Sequence, residues 1–395
     1  MAGRLPMGEK ERLRGKILEM VVQGQMTLKA ASVTLRVSYR QSKRLLSAYR
    51  EKGDAGLVHG NCGKKSNNSL PAQVRERAVR AYRDRYHDFG PTFAAEKLAE
   101  VEVVFVSVGT LRNWLIASGD WHGRRRGREY RSRRERQARF GALVQFDGSH
   151  HRWFEGRGRP CCLMTMIDDA TNTRVSRFFE QETIEAAMTV FSCWIRTYGI
   201  PDALYCDKKN AFVLTREPTD AELLAGITEP KSHFGRACGK LGVTVIAANS
   251  PQAKGRVERN HGVDQDRLVK ELRLAGISTI AEANRFLQET YLPKMNRKFA
   301  RPAADREDAH VPLGEVSLKD IMCLEHERVV GGDYVVRFEK RLFQIQERNR
   351  KLPRPKDRVV VRVQLDGSVT IVWKETRLLV KELTNAQGHK IHRAA

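Results

Sequence analysis

Three carboxylates stand where they could share a ligand. Asp147 sits in Leu143-Val144-Gln145-Phe146-Asp147-Gly148, and Asp207 closes Ala203-Leu204-Tyr205-Cys206-Asp207. Glu258 lies in Asn249-Ser250-Pro251-Gln252-Ala253-Lys254-Gly255-Arg256-Val257-Glu258-Arg259-Asn260. The first two end short apolar runs that read as buried strands. The third follows a strand, a turn and a Pro that opens a helix. Two strand ends and one helix face can gather three oxygen ligands around hard divalent cations. Such an arrangement suits in-line phosphoryl chemistry on nucleic acid.

Each acid has a plainer alternative: a strand-terminating turn for Asp147, a helix cap for Asp207 and a solvated helix face for Glu258. Gln145 and Phe146 keep the first run strand-like. Gly255 and Gly262, at i−3 and i+4 from Glu258, would let that helix approach a sheet closely. Asp168 and Asp169 sit in a predicted hairpin turn, where Asp is favoured for structural reasons, and are read as structural. His150 and His151 read equally as phosphate contacts or as solvated turn residues. Gln252, Lys254 and Arg256 precede Glu258 and are candidates to grip DNA beside the site. Trp153 and Trp194 read as core.

The elements that must position these residues follow from periodicity. Strands are expected at 142–147, at 161–167, through Val175-Ser176-Arg177-Phe178-Phe179, into Asp207 and over Val243-Thr244-Val245-Ile246-Ala247. Helices are expected at 183–198 and 233–241, then from before Glu258 towards Leu272, and over 278–299. Residues 213–231, with Glu, Thr and Pro, read as an insertion. The order βββαβαβα predicts an α/β layer fold with a mixed five-stranded sheet, a core spanning 140–305.

The flanks differ. Leu13, Ile17, Met20 and Val21 recur at helical spacing, and Thr27 can cap a second helix. After a tight connection at Arg36-Val37, Ser38 with Gln41 forms a capping-box pattern ahead of a third helix. Residues 1–58 thus read as a helix-turn-helix, the recognition helix presenting Tyr39, Arg40, Gln41, Lys43 and Arg44 to DNA. Residues 60–69 are a polar linker, and 70–122 repeat the pattern, with Thr110, Arg112 and Asn113 facing DNA. Residues 123–139 hold nine Arg and two Glu. That run reads as a solvated tether or, placed between a DNA-binding region and a carboxylate site, as a strip lying along phosphates. Pro302 and Pro312 mark a further linker. Short alternating runs over 325–385, with an Asp366-Gly367 hairpin signal, predict a small C-terminal β-barrel.

Charge follows this division. The 395 residues carry a net +24, of which residues 1–140 hold +16, 141–319 hold +2 and 320–395 hold +6. Basic flanks around a nearly neutral centre suit a protein that grips a polyanion and keeps cations at its core. Seven cysteines, an odd number with no CxxC, read as reduced thiols of a cytosolic protein. His59 and Cys62 are spaced like half a zinc site, but no second pair follows. No apolar run is long enough to span a bilayer and no secretory signal is present, so a cytoplasmic protein is expected.

Taken together these segments resemble the DDE-type transposases of bacterial insertion sequences, ISNCY group, within the integrase-core (RNase H-like) superfamily. The resemblance is carried by Phe89-Gly90-Pro91-Thr92, Thr110-Leu111-Arg112-Asn113-Trp114-Leu115, Phe146-Asp147-Gly148-Ser149-His150, Ile167-Asp168-Asp169-Ala170-Thr171, Tyr205-Cys206-Asp207-Lys208, Ala248 through Arg259, and Gln265 through Arg273. It implies metal binding by Asp147, Asp207 and Glu258, with two Mg2+ (or Mn2+) ions per site. It implies recognition of transposon ends by the helical N-terminal region, transfer of 3′-hydroxyl ends into target double-stranded DNA, a nucleoid-associated protein, and a dimer or larger assembly on DNA. Two features depart from the pattern. Asp207 and Glu258 are 51 positions apart, wider than is typical of integrases, which the 213–231 insertion accounts for. Residues 260–264 differ from the usual Asn-Gly-Thr ending. The rival readings are a metal-dependent nuclease that cuts without joining, and a non-catalytic DNA-binding regulator derived from such an enzyme.

Overall fold

The computed structural model describes residues 7–62, 69–123, 134–207, 218–220, 223, 230–247 and 255–383. Two compact units divide the chain, Met1–Gly127 and Arg128–Ala395.

The first unit is helical. Helices α1 (Glu9–Val22), α2 (Leu28–Thr34) and α3 (Tyr39–Lys52) pack on Leu18, Leu45, Leu46 and Leu57. The predicted caps form: Thr27 Oγ1 accepts from the Ala30 amide and Ser38 Oγ from the Gln41 amide. Between α2 and α3, Arg36 adopts a left-handed conformation (φ 52°), which reverses the chain within four residues. A second trio follows, α4 (Ala72–Arg85), α5 (Pro91–Glu100) and α6 (Val108–Ala117). Its core holds Tyr82, Phe89, Phe93, Leu98, Leu111 and Leu115. Tyr82 Oη donates to the Phe89 carbonyl at 3.0 Å, fixing the entry into α5, and Ser107 caps α6.

The second unit contains the expected mixed five-stranded sheet. Its strands are β1 (Val144–His151), β2 (Cys161–Asp168), β3 (Arg174–Phe179), β4 (Ala203–Cys206) and β5 (Thr244–Ala247), in the order β3-β2-β1-β4-β5. β1, β2 and β3 are antiparallel, while β4 and β5 run parallel to β1 and to each other. β1 extends beyond the predicted 142–147 because all eight of its residues pair with β2. Asp147 therefore sits mid-strand rather than at a strand end, and His150 and His151 lie in the strand, not in a turn.

Alternation divides the side chains of β1 and β2 between the two faces. Phe146, Cys162, Met164 and Met166 pack under α7 (Ile184–Tyr198) and α8 (His233–Lys240). Cys161 and Leu163 pack, with Phe178, under α9 (Gly255–Leu274), α10 (Ile280–Phe286) and α11 (Leu292–Phe299). Covered on both faces, β2 is buried along its whole length. A π turn, Leu287–Tyr291, links α10 to α11. Trp153 and Trp194 are both core, as expected.

The C-terminal strands do not close into the expected barrel. β6 (Cys323–Val329), β9 (Arg358–Gln364), β10 (Val369–Trp373) and β11 (Thr376–Leu378) form one open sheet. β7 (Val335–Phe338), β8 (Arg341–Ile345) and β12 (Val380–Glu382) form another. Both sheets share a core of Val336, Phe343, Val361 and Ile371. The chain changes sheet three times, between β6 and β7, between β8 and β9, and between β11 and β12 at Leu379. At Leu379 the peptide leaves the ladder, its carbonyl accepting from the Gln346 amide and its amide bonding Asn349. Among the described residues, no helix is long and apolar enough to cross a membrane.

Candidate active site

Strand register gives the geometry of the first two acids. β1 and β4 run parallel with Val144 opposite Leu204 and Gln145 opposite Tyr205. The paired register ends there, and Asp147 and Asp207 each lie two residues further along their chains in the same direction. The Asp147 side chain is 15% exposed and has His261 Nδ1 3.7 Å away. It shares the α9 face of the sheet with Gln145 and Ser149.

Helix α9 runs along β1 on this face, and three contacts record its alignment. The Val257 amide donates to Gln145 Oε1 (3.2 Å), His261 faces Asp147, and Gln265 Nε2 donates to Ser149 Oγ (3.1 Å). Val257, His261, Asp264, Leu268 and Leu272 form its buried stripe. Glu258 is exposed, one turn before His261 on the same flank. The expectation that Gly255 and Gly262 allow close approach fails. A Cβ at either would meet nothing within 4 Å, so the contact is made by Val257 and His261 instead.

Two clamps fix this helix. At its start, Arg256 pairs with Asp169 at 2.8 Å. Asp169 is fully buried and also accepts from Arg134, the Gln137 amide (2.8 Å) and Gln145 Nε2 (2.9 Å). One carboxylate thereby joins residues 134–137, β1 and α9. Three residues beyond His261, the chain is held again. Arg174 Nη1 on β3 donates to both Asp264 carboxylate oxygens (2.9 and 3.0 Å), and Tyr291 Oη donates to one of them (2.7 Å). The Tyr291 hydroxyl is driven well above its ordinary pKa by burial and by the Asp264 charge. Glu258 thus projects from a segment tied down on both sides.

The neighbouring acid is structural too. Asp168 accepts from the Gly141 amide (3.0 Å), the Thr171 amide (2.6 Å) and Thr171 Oγ1 (2.8 Å). Burial raises its pKa despite these bonds. Arg136 adds bonds to the carbonyls of Asp169 and Ala170. Burial lowers the guanidinium pKa of Arg136 and of Arg256, and neighbouring arginines add to the effect in both. Residues 134–139, the end of the Arg-rich run, are therefore docked on the core instead of forming a tether.

Tyr39, Arg40, Gln41, Lys43 and Arg44 are all exposed on α3, while Ser42, Leu45 and Leu46 turn inward. Lys43 Nζ lies 4.8 Å from the centre of the Tyr39 ring. On α6, Arg112 and Asn113 are exposed. Thr110 is half-buried and its hydroxyl is engaged with Ser107 Oγ at 2.8 Å, which removes it from the exposed row. Arg256 faces Asp169 and not solvent. Gln252 and Lys254 lie outside the described residues, as does most of the 213–231 segment. Sequence reasoning missed Gln145, Asp169 as an anchor, and His261. For His261 a signal existed, since it stands three residues after Glu258, on the same helix flank.

Chemically, carboxylate oxygens such as these three are a donor type that fits hard divalent cations. No disulfide joins any of the seven cysteines, of which Cys62 alone is exposed, and Cys206 directly precedes Asp207.

No family model matches the chain. It is similar to the transposase y4bF of Sinorhizobium fredii, with 38% identity over 375 residues covering 94% of this chain and 80% of the relative. It is similar also to the transposase for insertion sequence IS1202 of Streptococcus pneumoniae, with 30% identity over 83% of this chain and 76% of the relative. Among solved structures it is similar to the HTLV-2 integrase catalytic core domain in complex with magnesium: 18% identity, 38% of this chain, 84% of that one, TM-score 0.29. A simian T-cell lymphotropic virus intasome, in complex with a PP2A regulatory subunit, matches at 12% identity over 81% and 99% of the two chains, TM-score 0.34.

Proposed function

The chain belongs to the transposases of bacterial insertion sequences, and from that membership we propose that it cuts DNA at the ends of such an element and joins the freed 3′-hydroxyl ends to target DNA. In this reading Asp147, Asp207 and Glu258 hold divalent metal, two Mg2+ or Mn2+ ions per site. When bound, the ions supply Lewis acidity to the phosphate and to the attacking and leaving oxygens. What supports the reading is the parallel pairing of β1 with β4, whose chains run on to Asp147 and Asp207, together with a helix clamped on either side of Glu258.

The chain's own residues have distinct tasks. Asp147 and Asp207 form one edge of the ligand set, and Glu258 reaches in from the helix flank. His261 holds the Asp147 carboxylate in orientation, as partners behind metal ligands do. Arg256 serves Glu258 indirectly, through Asp169. Two displacements share the site. Water attacks the phosphate at the element's end, breaking one P–O bond and freeing a 3′-hydroxyl. That hydroxyl then attacks a target phosphate, forming the new bond as a second one breaks.

The N-terminal trios act as helix-turn-helix modules. The exposed row Tyr39, Arg40, Gln41, Lys43 and Arg44 on α3 enters a groove of the element's end, with Arg112 and Asn113 giving a second contact. The C-terminal sheets, net basic, add phosphate contacts. Two copies, one per end, form the working assembly.

A plasmid-to-plasmid transfer assay tests the reading, with the gene's own flanking DNA placed around a marker. Joined products from the native protein and none from Glu258→Gln are expected. Equal products from both would remove Glu258 from the reaction. Cut but unjoined DNA would leave a nuclease.

A further inference from the structure

On the α7 face of the sheet, away from the three acids, a second group of potential ligands converges. His150 on β1 pairs in register with Cys162 on β2, and Glu182 stands in the segment leading from β3 into α7. One ligand atom from each lies within 4.8 Å of the others, and His150 Nε2 is 3.5 Å from Glu182 Oε2. Gly148 makes room for this carboxylate: a Cβ there would lie 2.9 Å from Glu182 Cδ and 3.0 Å from Met164 Sδ. The Met164 thioether in turn lies 3.7 Å from Cys162 Sγ. Cys162 is fully buried and the Glu182 side chain is 8% exposed, whereas the His150 side chain is 59% exposed and opens the group to solvent.

We propose that His150, Cys162 and Glu182 form a binding site for a thiophilic divalent cation of the zinc class, distinct from the all-oxygen site of Asp147, Asp207 and Glu258. The donor chemistry separates the two. A thiolate, an imidazole and a carboxylate suit zinc, with water or the Met164 sulfur as fourth ligand, whereas magnesium prefers oxygen. With metal bonds of about 2.0–2.3 Å, the three atoms need only approach by about 1 Å. On binding, the Cys162 thiol gives its proton to solvent and the sulfur bonds the ion. Once filled, the site joins the far end of β1 to β2 and to the start of α7.

Cobalt(II) is the probe, because a thiolate ligand gives a sulfur-to-metal absorption band that oxygen ligands cannot. Full-length protein stripped with chelator should show the band on addition of Co2+, and Zn2+ should displace it. Cys162→Ser should lose the band. His150→Asn, at an exposed position that leaves the fold undisturbed, should weaken Co2+ binding about tenfold or more. Asp147→Asn and Glu258→Gln should keep the band. Absence of the band from native protein, its survival in Cys162→Ser, unchanged affinity in His150→Asn, or its loss in Asp147→Asn would each overturn the proposal.

Discussion

Asp147 and Asp168 sit on paired strands of one sheet, three residues of register apart, yet they occupy opposite circumstances. Asp168, with Asp169 beside it, is fully buried and ringed by amides, a hydroxyl and guanidinium groups. Asp147 keeps contact with solvent, and Glu258 on α9 is exposed. A buried carboxylate is tolerable only when donors fill its lone pairs, and once filled it joins elements and has nothing left for a metal. A carboxylate meant for a cation must reach a wet edge. Both kinds are needed here, since the enclosed acids hold the elements from which the open ones project.

Exchanging the two sets of acids should expose that division. Asp147→Asn or Asp207→Asn should lower strand transfer about 1,000-fold or more, while stability changes by no more than about 1 kcal/mol. Transfer assays beside urea unfolding would show it, and a large stability loss would erase the distinction. Asp169→Ala should do the reverse first, costing about 3 kcal/mol, because Arg256 loses its buried partner. Its urea midpoint would reveal this before any effect on chemistry is sought. Gln145→Ala leaves the Val257 amide and one Asp169 oxygen each short of a bond and should cost about 2 kcal/mol. If Gln145 positions α9, its transfer rate falls further than that stability loss explains.

The smallest effect is in acid. At Glu325, burial opposes the charge, but the Lys240 bond and the charges of Arg236 and Arg362 outweigh it, so its pKa lies below the ordinary carboxylate value. Its stabilisation is therefore present above about pH 4.3 and disappears as pH falls through the lowered folded value. Asp168, with a raised pKa, has the opposite sign: its protonation on acidification favours the folded state. Thermal melts across the acid range should show a flatter loss for Glu325→Gln than for the native protein.

Much of this architecture was legible because it is local. The caps at Thr27 and Ser38 and the strand runs before Asp207 and over 243–247 announce themselves within a few residues. What escaped depends on partners far apart in the chain. Nothing near Arg256 names Asp169, nor does anything near Asp264 name Arg174, so Arg256 reads as a DNA contact until the fold supplies its acid. Glycines beside Glu258 suggest tight packing, but which helix flank meets the sheet is decided by Val257 and His261. Likewise, alternation in the C-terminal strands gives their number and not their partners, so a barrel and a pair of sheets read alike.

The anchor at the start of α9 also bears on how such chains diverge. Because Gln145 and Asp169 seize the helix at Val257 and Arg256, the position of Glu258 is set by the sheet and not by the length of chain leading to it. Residues between Asp207 and α8 can then be gained or lost without shifting the third acid. In this fold the spacing between the second and third acids is then a poor guide to where Glu258 lies, and Arg256-x-Glu258 at a helix start, matched to Asp169 and Gln145, is a better one.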